Sequence, residues 1–311
     1  MTKFLVTGGA GFIGSHIVEA LLKQGHWVRV VDNFSTGKKE NIQPFLDKIE
    51  FLRGDLSNLK TAQRAVKNID IVFHQAAIPS VQRSVADPLS TNSANINGTL
   101  NILLAARDAK VKKIIYASSS SIYGNTPVLP KKETAPVDPI SSYTLTKFAG
   151  ERYCQLFHRL YGLPTVCLRY FNVFGPRQNP KSQYSAAIPK FIMAILNDQS
   201  PVIYGDGEQS RDFTYVDNVV KANLLAATSE IVGEVINIAC GKRITLNQVV
   251  ALINKALGKE IKPVFLPPKI GDIQHSLADI TKAQELLNYQ SITGFEEGLK
   301  KTIEWCKLHH K

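Results

Sequence analysis

The chain has 311 residues, 44% of them apolar and 20% charged, and a formal net charge of +11. That is ample material for one large or two small packed domains, and it excludes disorder as the resting state. No apolar run nears the ~18 residues that span a bilayer, the start MTKFLVTGGAG has no long export signal, and the lysine excess is scattered in pairs such as Lys112-Lys113 and Lys300-Lys301, so the expectation is a cytoplasmic protein with neither membrane nor nucleic acid as partner. Residues 3–7 predict a buried strand running into glycines, 12–24 an amphipathic helix closed by Gly25, and 27–31 a second strand ending at Asp32, which together make a β-α-β unit. Further strands are predicted at 49–52, 70–74, 112–117, 164–169 and 235–238. Helices are predicted at 58–67, 92–109, 142–161, 186–197, 216–228, 245–257 and 279–287. This alternation predicts an α/β fold, a Rossmann-type doubly wound parallel sheet covered on both faces. Past residue 174 the text is punctuated by Pro176, Pro180, Pro189 and Pro201. We expect a nucleotide-binding domain of 1–173 plus 214–242 and a smaller, discontinuous C-terminal substrate-binding domain of 174–213 plus 243–311. Cys154, Cys167, Cys240 and Cys306 show no CxxC spacing and are expected to be free thiols, with no metal site.

Three constellations carry chemistry. Gly8, Gly11 and Gly14 stand between the first strand and the first helix, where glycine permits a tight turn and close approach of a pyrophosphate to a helix N-terminus. Asp32, at the end of the second strand, offers a carboxylate to the adenosine ribose and repels a 2′-phosphate, which favours NAD over NADP. Asp55-Leu56 and His74-Gln75-Ala76-Ala77 end later strands and can flank the cofactor. Tyr143 and Lys147 are four residues apart, one turn of a helix, where an ammonium beside the phenol favours phenolate. Serines 118–121 follow the strand at 112–117 and can bond a substrate hydroxyl.

Through TGGAGFIGSH (7–16), DNFSTG (32–37), HQAA (74–77), NINGTLNIL (95–103), SSSSIYG (118–124), YTLTK (143–147), RYFNVFGP (169–176), GEQSRDFTYVDN (207–218) and GDIQHSLAD (271–279), the chain resembles the extended short-chain dehydrogenases/reductases that act on nucleotide sugars. Within them it is most similar to the UDP-hexose 4-epimerases, and especially to the branch acting on N-acetylated UDP-hexosamines. The resemblance implies transient oxidation of the sugar at C4 by tightly bound NAD, rotation of the 4-keto sugar and return of hydride to its other face. It implies Tyr143 as base, Lys147 as its tuner and Ser119 as the catalytic serine. It places NAD against Gly8, Gly11, Phe12, Ile13, Asp32, Asn33, Asp55, Leu56, Ala76, Ala77, Asn95, Tyr143, Lys147 and Tyr170.

For the UDP-sugar the resemblance implies Ser120 and Ser121 beside the site, Asn172 and Arg211 at the diphosphate, Lys269 where the family has a second arginine, Asp272 at the uridine ribose, and Ala187, Ile188 and Tyr204 around the uracil. Related dehydratases and decarboxylases carry acidic residues where this chain has Ser120 and Ser121, which favours epimerisation. Ser276 aligns with a gatekeeper whose small size admits an N-acetyl group, so UDP-GlcNAc/UDP-GalNAc is the expected pair, with UDP-Glc/UDP-Gal as a second. Ser80, Gln82 and Ser84 are candidate sugar contacts. The helices 92–109 and 142–161 are expected to build a homodimer. The other readings are a UDP-glucuronate 4-epimerase, with Arg177 or Arg83 for the C6 carboxylate, and a non-catalytic NAD-binding regulator. Retention of both Tyr143 and Lys147 weighs against the regulator.

Overall fold

The computed structural model describes residues 1–179, 187–268 and 273–309. In chain order it begins with β1 (Lys3–Thr7), α1 (Phe12–Lys23), β2 (Trp27–Asp32), β3 (Glu50–Arg53), α2 (Leu59–Val66), β4 (Ile71–His74), α3 (Val81–Ala86), α4 (Pro88–Asn92), α5 (Gly98–Asp108), β5 (Lys113–Ser119) and α6 (Ser142–Tyr161). There follow β6 (Thr165–Tyr170), β7 (Val173–Phe174), α7 (Ala187–Leu196), β8 (Val202–Tyr204), β9 (Ser210–Arg211), β10 (Thr214–Tyr215) and α8 (Val216–Thr228). The chain then adds β11 (Val235–Ile238), β12 (Ile244–Thr245), α9 (Leu246–Leu257), β13 (Val264–Leu266), α10 (Thr281–Leu287) and α11 (Phe295–Leu308).

Seven strands form one sheet in the order β11-β6-β5-β4-β1-β2-β3, and every neighbouring pair is parallel. Successive residues of a strand face opposite sides. Phe4 and Val6 therefore join one apolar core with Ile17, Val18 and Leu21 of α1. Leu5 joins a second core with Ile102 and Leu103 of α5. Burial on both faces explains why the strands read as unbroken apolar runs. From β1 the sheet grows one way through β2 and the other through β4. The crevice at this reversal, beyond the strand C-termini, is where such sheets bind ligands.

Local signals set the helix bounds. Ser141 and Thr144 form a reciprocal capping box at the start of α6, and Gly162, in the left-handed region at φ 66°, ends it, so the observed helix matches the predicted 142–161. The single helix expected over 92–109 is instead α4, a π-type turn at Ser93–Asn97, and α5. Pro88 opens this run at the first helical turn and Asp87 accepts the Ser90 N–H, starting it earlier than the apolar period suggests. Helices α3 and α11 were not expected. Yet Phe295, Leu299, Ile303 and Cys306 of α11 recur at three- and four-residue spacing, and Leu299, Ile303 and Cys306 are buried. The first core continues through α7 (Phe191, Ile192), α9 (Val249, Ile253) and α11. All four cysteines are free thiols, and only Cys240 is less than fully buried. Among the described residues no helix is long and apolar enough to cross a membrane.

Candidate active site

The crevice holds a cavity of about 580 Å³, within the usual range for a ligand site. Its floor is the β1–α1 turn. Gly8 has φ 65°, and a Cβ there would lie 2.7 Å from the Cα of Ala76. A Cβ on Gly14 would lie 2.3 Å from the Gly8 carbonyl oxygen. The glycines thus bring α1 and the β4 end against the turn, leaving the space above it open. The N-cap of α1 is Gly11, with no side-chain cap, so leading N–H groups of the helix remain for an anion. Gly8, Gly11, Phe12, Ile13, Asp32, Asn33, Asp55, Leu56, Ala76, Ala77, Tyr143, Lys147 and Tyr170 all line the cavity. These residues fit a dinucleotide: a glycine cradle and helix N-terminus for a diphosphate, with carboxylates at successive strand ends for ribose and base.

The carboxylates are more committed than the sequence suggests. Asp32 accepts the Ala10 N–H at 3.0 Å on Oδ2 and the Phe34 N–H at 2.8 Å on Oδ1. Burial pushes its carboxyl above the ordinary value, against these backbone bonds. With Asn33 also donating its backbone N–H, a carboxylate of about four acceptor sites keeps room for a ribose hydroxyl. Burial likewise opposes ionisation of Asp55, but bonds from Ser57 and Asn33 outweigh it and hold that carboxyl low, the Asn33 amide donating at 2.9 Å. Asn95 does not line the cavity. It is buried, accepting the Ile78 N–H at 2.7 Å and donating to Thr146 at 3.0 Å, so it fixes a cavity-wall residue to α6. His74 is enclosed between Thr7 (2.7 Å) and Thr99 (2.9 Å), and burial, with Lys147 nearby, brings it down to about 3. It is therefore a neutral structural link.

Tyr143 and Lys147 share one face of α6. Burial raises the Tyr143 phenol, while a hydrogen bond with Ser119 lowers it. The sequence reading assigned that lowering to Lys147. In the structure Lys147 Nζ donates to the Ala117 carbonyl at 2.7 Å, and its own burial brings it down to about 8. Ser119 Oγ lies 2.8 Å from Ser121 Oγ and accepts the Ser121 N–H, while Ser120 and Ser121 open a 3₁₀ turn. The Tyr170 hydroxyl donates to Asn223 at 2.9 Å.

The structure distributes the expected sugar-nucleotide residues unevenly. Ser80 lines the cavity at φ 105° and caps α3, accepting the Arg83 N–H. Gln82 is exposed and off the cavity wall, and Ser84 is buried, bonded to the Val81 carbonyl at 2.7 Å. Ser84 therefore offers nothing to a sugar. Ile188 is 1% exposed inside the first core, so its side chain is structural, because the apolar face of α7 packs inward there; Ala187 packs against the same core. Tyr204 is 36% exposed on β8, which pairs with β13. Asn172 donates to the Asp212 carbonyl at 3.1 Å. Arg211 donates to the Gln274 carbonyl at 3.0 Å, and the Ser276 N–H donates to the Ser210 carbonyl at 3.0 Å. Arg211 and Ser276, 65 positions apart in sequence, are thereby joined through β9. Lys269 and Asp272 lie outside the described residues.

Sequence reasoning missed two parts of the site. Ser35, Thr36, Lys38 and Asn41 complete the wall beside Asp32; DNFSTG (32–37) covers the first two, and nothing signalled the others. Gln178 and Asn179 join the wall beside Arg177, which the sequence reading names only as a candidate partner of a C6 carboxylate, not as part of the dinucleotide cavity.

Residues 4–239 match the model of the NAD dependent epimerase/dehydratase family. The chain belongs to this family. The match takes in the whole glycine cradle, Tyr143 and Lys147, and the group this NAD-dependent family carries is one the cavity residues fit. Among solved structures, the epimerase-family chain is 45% identical to a UDP-N-acetylglucosamine 4-epimerase of Methanobrevibacter ruminantium in complex with UDP-N-acetylmuramic acid, with TM-score 0.95 over 99% of each chain. It is 36% identical to a UDP-glucuronic acid 4-epimerase of Bacillus cereus in complex with UDP-glucuronic acid and NAD, with TM-score 0.92 over 99% of this chain and 100% of that one. It is 38% identical over 98% of both chains to a UDP-glucose 4-epimerase of Mycolicibacterium smegmatis.

Proposed function

We propose that this family member is a UDP-sugar 4-epimerase, and that its substrates are UDP-N-acetylglucosamine and UDP-N-acetylgalactosamine, with UDP-glucose and UDP-galactose as a second pair. The observation that carries the reading is Tyr143, bonded to Ser119 and followed one turn later by buried Lys147, on the wall of the dinucleotide cavity. Bound NAD supplies a hydride acceptor and donor. Tyr143 Oη takes the proton of the sugar 4-hydroxyl and gives it back after the sugar has turned. Ser119 orients that hydroxyl. In the chain alone the phenol sits above its ordinary value, so it becomes a base only when positive charge stands beside it. Residues 174–213 plus 243–311 take the nucleotide half of the substrate, through Arg211, Lys269 and Asp272, and Asn172, at the end of the first domain's 1–173 segment, joins them at the diphosphate. Ser120 and Ser121, neither of them acidic, argue for epimerisation over elimination or decarboxylation.

The substrate assignment rests on Ser276, whose small side chain leaves room for an acetamido group. Purified protein given UDP-N-acetylglucosamine, UDP-glucose and UDP-glucuronate separately is expected to turn over the first two, read by NMR of the products. Ser276→Tyr should lose roughly 10–100-fold in kcat/KM on the acetylated sugar and far less on the plain one. Equal losses on both would remove Ser276 as the discriminator. Turnover of UDP-glucuronate alone would move the assignment to the uronate. Against that reading, Arg177 already pairs with Glu19 at 2.5 Å, leaving Arg83 of the two arginines considered for a carboxylate at C6.

We further propose a homodimer built on the outer face of α6 and its neighbours. Leu145, Leu156 and Leu160 on α6, with Val85 of α3 and Leu89 of α4, are exposed, and clustered exposed apolar side chains favour a protein partner. Equilibrium sedimentation is expected to give twice the 34.4 kDa chain mass. A single species at the chain mass would sink this.

A further inference from the structure

The cavity has one wall that the β-α-β unit does not supply. Arg177, Gln178 and Asn179, in the stretch that follows β7, line it together with Gly11, Phe12, Ile13 and Gly14. This stretch is fastened to the flank of α1. His16 Nε2 lies 3.0 Å from the Pro176 carbonyl. Burial first, then the Arg177 charge, bring His16 down to about 4, so near neutral pH the ring is uncharged and donates this bond. Arg177 Nη2 pairs with Glu19 at 2.5 Å, with side chains 18% and 25% exposed. The guanidinium also lies 5.5 Å from the Phe45 ring centroid. Lys23 holds the other Glu19 oxygen at 2.8 Å. The arginine adopts φ 66°, an uncommon conformation for a side chain of this size, and so must be held by its neighbours. Arg177 is thus spent on α1 rather than turned to a ligand. A dinucleotide seated on the glycine cradle would meet both the start of α1 and this strap, which line the same cavity.

We propose that Pro176–Asn179 is a strap that retains the cofactor, and that the Arg177–Glu19 pair is its clasp, a positioning device that sets how long NAD stays bound. A pair that still reaches solvent contributes little to global stability, but here its opening would unseat a wall of the site. Retention matters to the proposed reaction, because a cofactor that leaves in mid-cycle strands an oxidised sugar. The inference itself needs only the family's NAD binding and is read without any sugar.

The test follows release of NAD from the holoprotein after dilution into an NAD-trapping enzyme, for wild type, Glu19→Gln, Arg177→Ala and the double variant. Each single change should raise the release rate about tenfold, with the melting temperature of the NAD-free protein within a few degrees of wild type. The double variant should release no faster than either single one, because both open the same clasp. Arg177→Lys should recover part of the loss through its remaining charge. Unchanged release in the single variants would overturn the proposal. So would multiplying effects in the double variant, or a large loss of melting temperature without NAD, which would make the pair a support of α1 instead.

Discussion

Tyr143→Phe is expected to abolish epimerisation while leaving NAD bound. The change deletes one hydroxyl from a buried ring and so costs little packing, but it removes the atom proposed to carry the proton. Loss of a positioned general base costs roughly 10²–10⁴-fold in rate. Here the remaining candidate, Lys147, has its ammonium bonded to the Ala117 carbonyl, so the loss should fall at the upper end. Ser119 would keep its bond to Ser121, which limits rearrangement. Absorbance of NAD in the purified variant, beside its turnover number, separates the two effects. Near-normal turnover would remove Tyr143 from the proton path; loss of NAD together with turnover would make it a cofactor anchor.

The largest effect on stability is expected at Glu151, one turn beyond Lys147 on α6. Its carboxylate takes both arms of Arg169, at 3.0 and 2.7 Å, and the Ser118 hydroxyl at 2.9 Å. The two side chains are 1% and 5% exposed. Arg169 also donates to the Tyr123 hydroxyl at 2.7 Å and the Glu133 carbonyl at 3.1 Å. Tyr123 in turn donates to Asn237 at 2.7 Å. Removing one charge leaves the other buried and unpaired, which costs about 3–5 kcal/mol. Glu151→Ala should therefore lower the denaturant midpoint with an unchanged slope. The double replacement Glu151→Leu/Arg169→Leu should lose less than the two single changes summed. Additive losses would mean that the pair is not coupled. Through Ser118, Arg169 and Glu151 this network fixes β5, β6 and α6 to one another, one turn along α6 from Lys147.

Much of this was readable in advance because it is local. A β-α-β unit writes its period, its glycines and its terminal Asp32 within a few turns of sequence, and α6 announces itself through Ser141, Thr144 and Gly162. What was not readable depends on distant partners. Nothing near Glu151 or Arg169 says that they meet. Nothing near Asn95 says that its amide is spent on Ile78 and Thr146 rather than on a ligand, and the same holds for Ser84 and the Val81 carbonyl. Ile188 was open to both a core and a ligand role, since an apolar residue at a helix start serves either; its 1% exposure decides for the core. The failure to predict α11 is of another kind, since its apolar period was present and went unread.

The sheet also imposes an order on manufacture. Among the described residues, every side chain on the cavity wall comes from the first 179 positions. The strand that covers the β6 edge, β11, is not synthesised until residues 235–238. Only then can Asn237 bond Tyr123 and Lys131 and draw in Glu133 through its N–H, and its bond to the Asp279 carbonyl comes later still. A ribosome that has finished the last wall residue has thus made a binding site whose buried arginine is still uncovered, and parallel pairings of such long range form slowly. For this stretch of translation the nascent protein holds the described wall of the dinucleotide cavity without the edge that makes it rigid. Shelter by a chaperone, or an early encounter with the cofactor, would matter most in that interval.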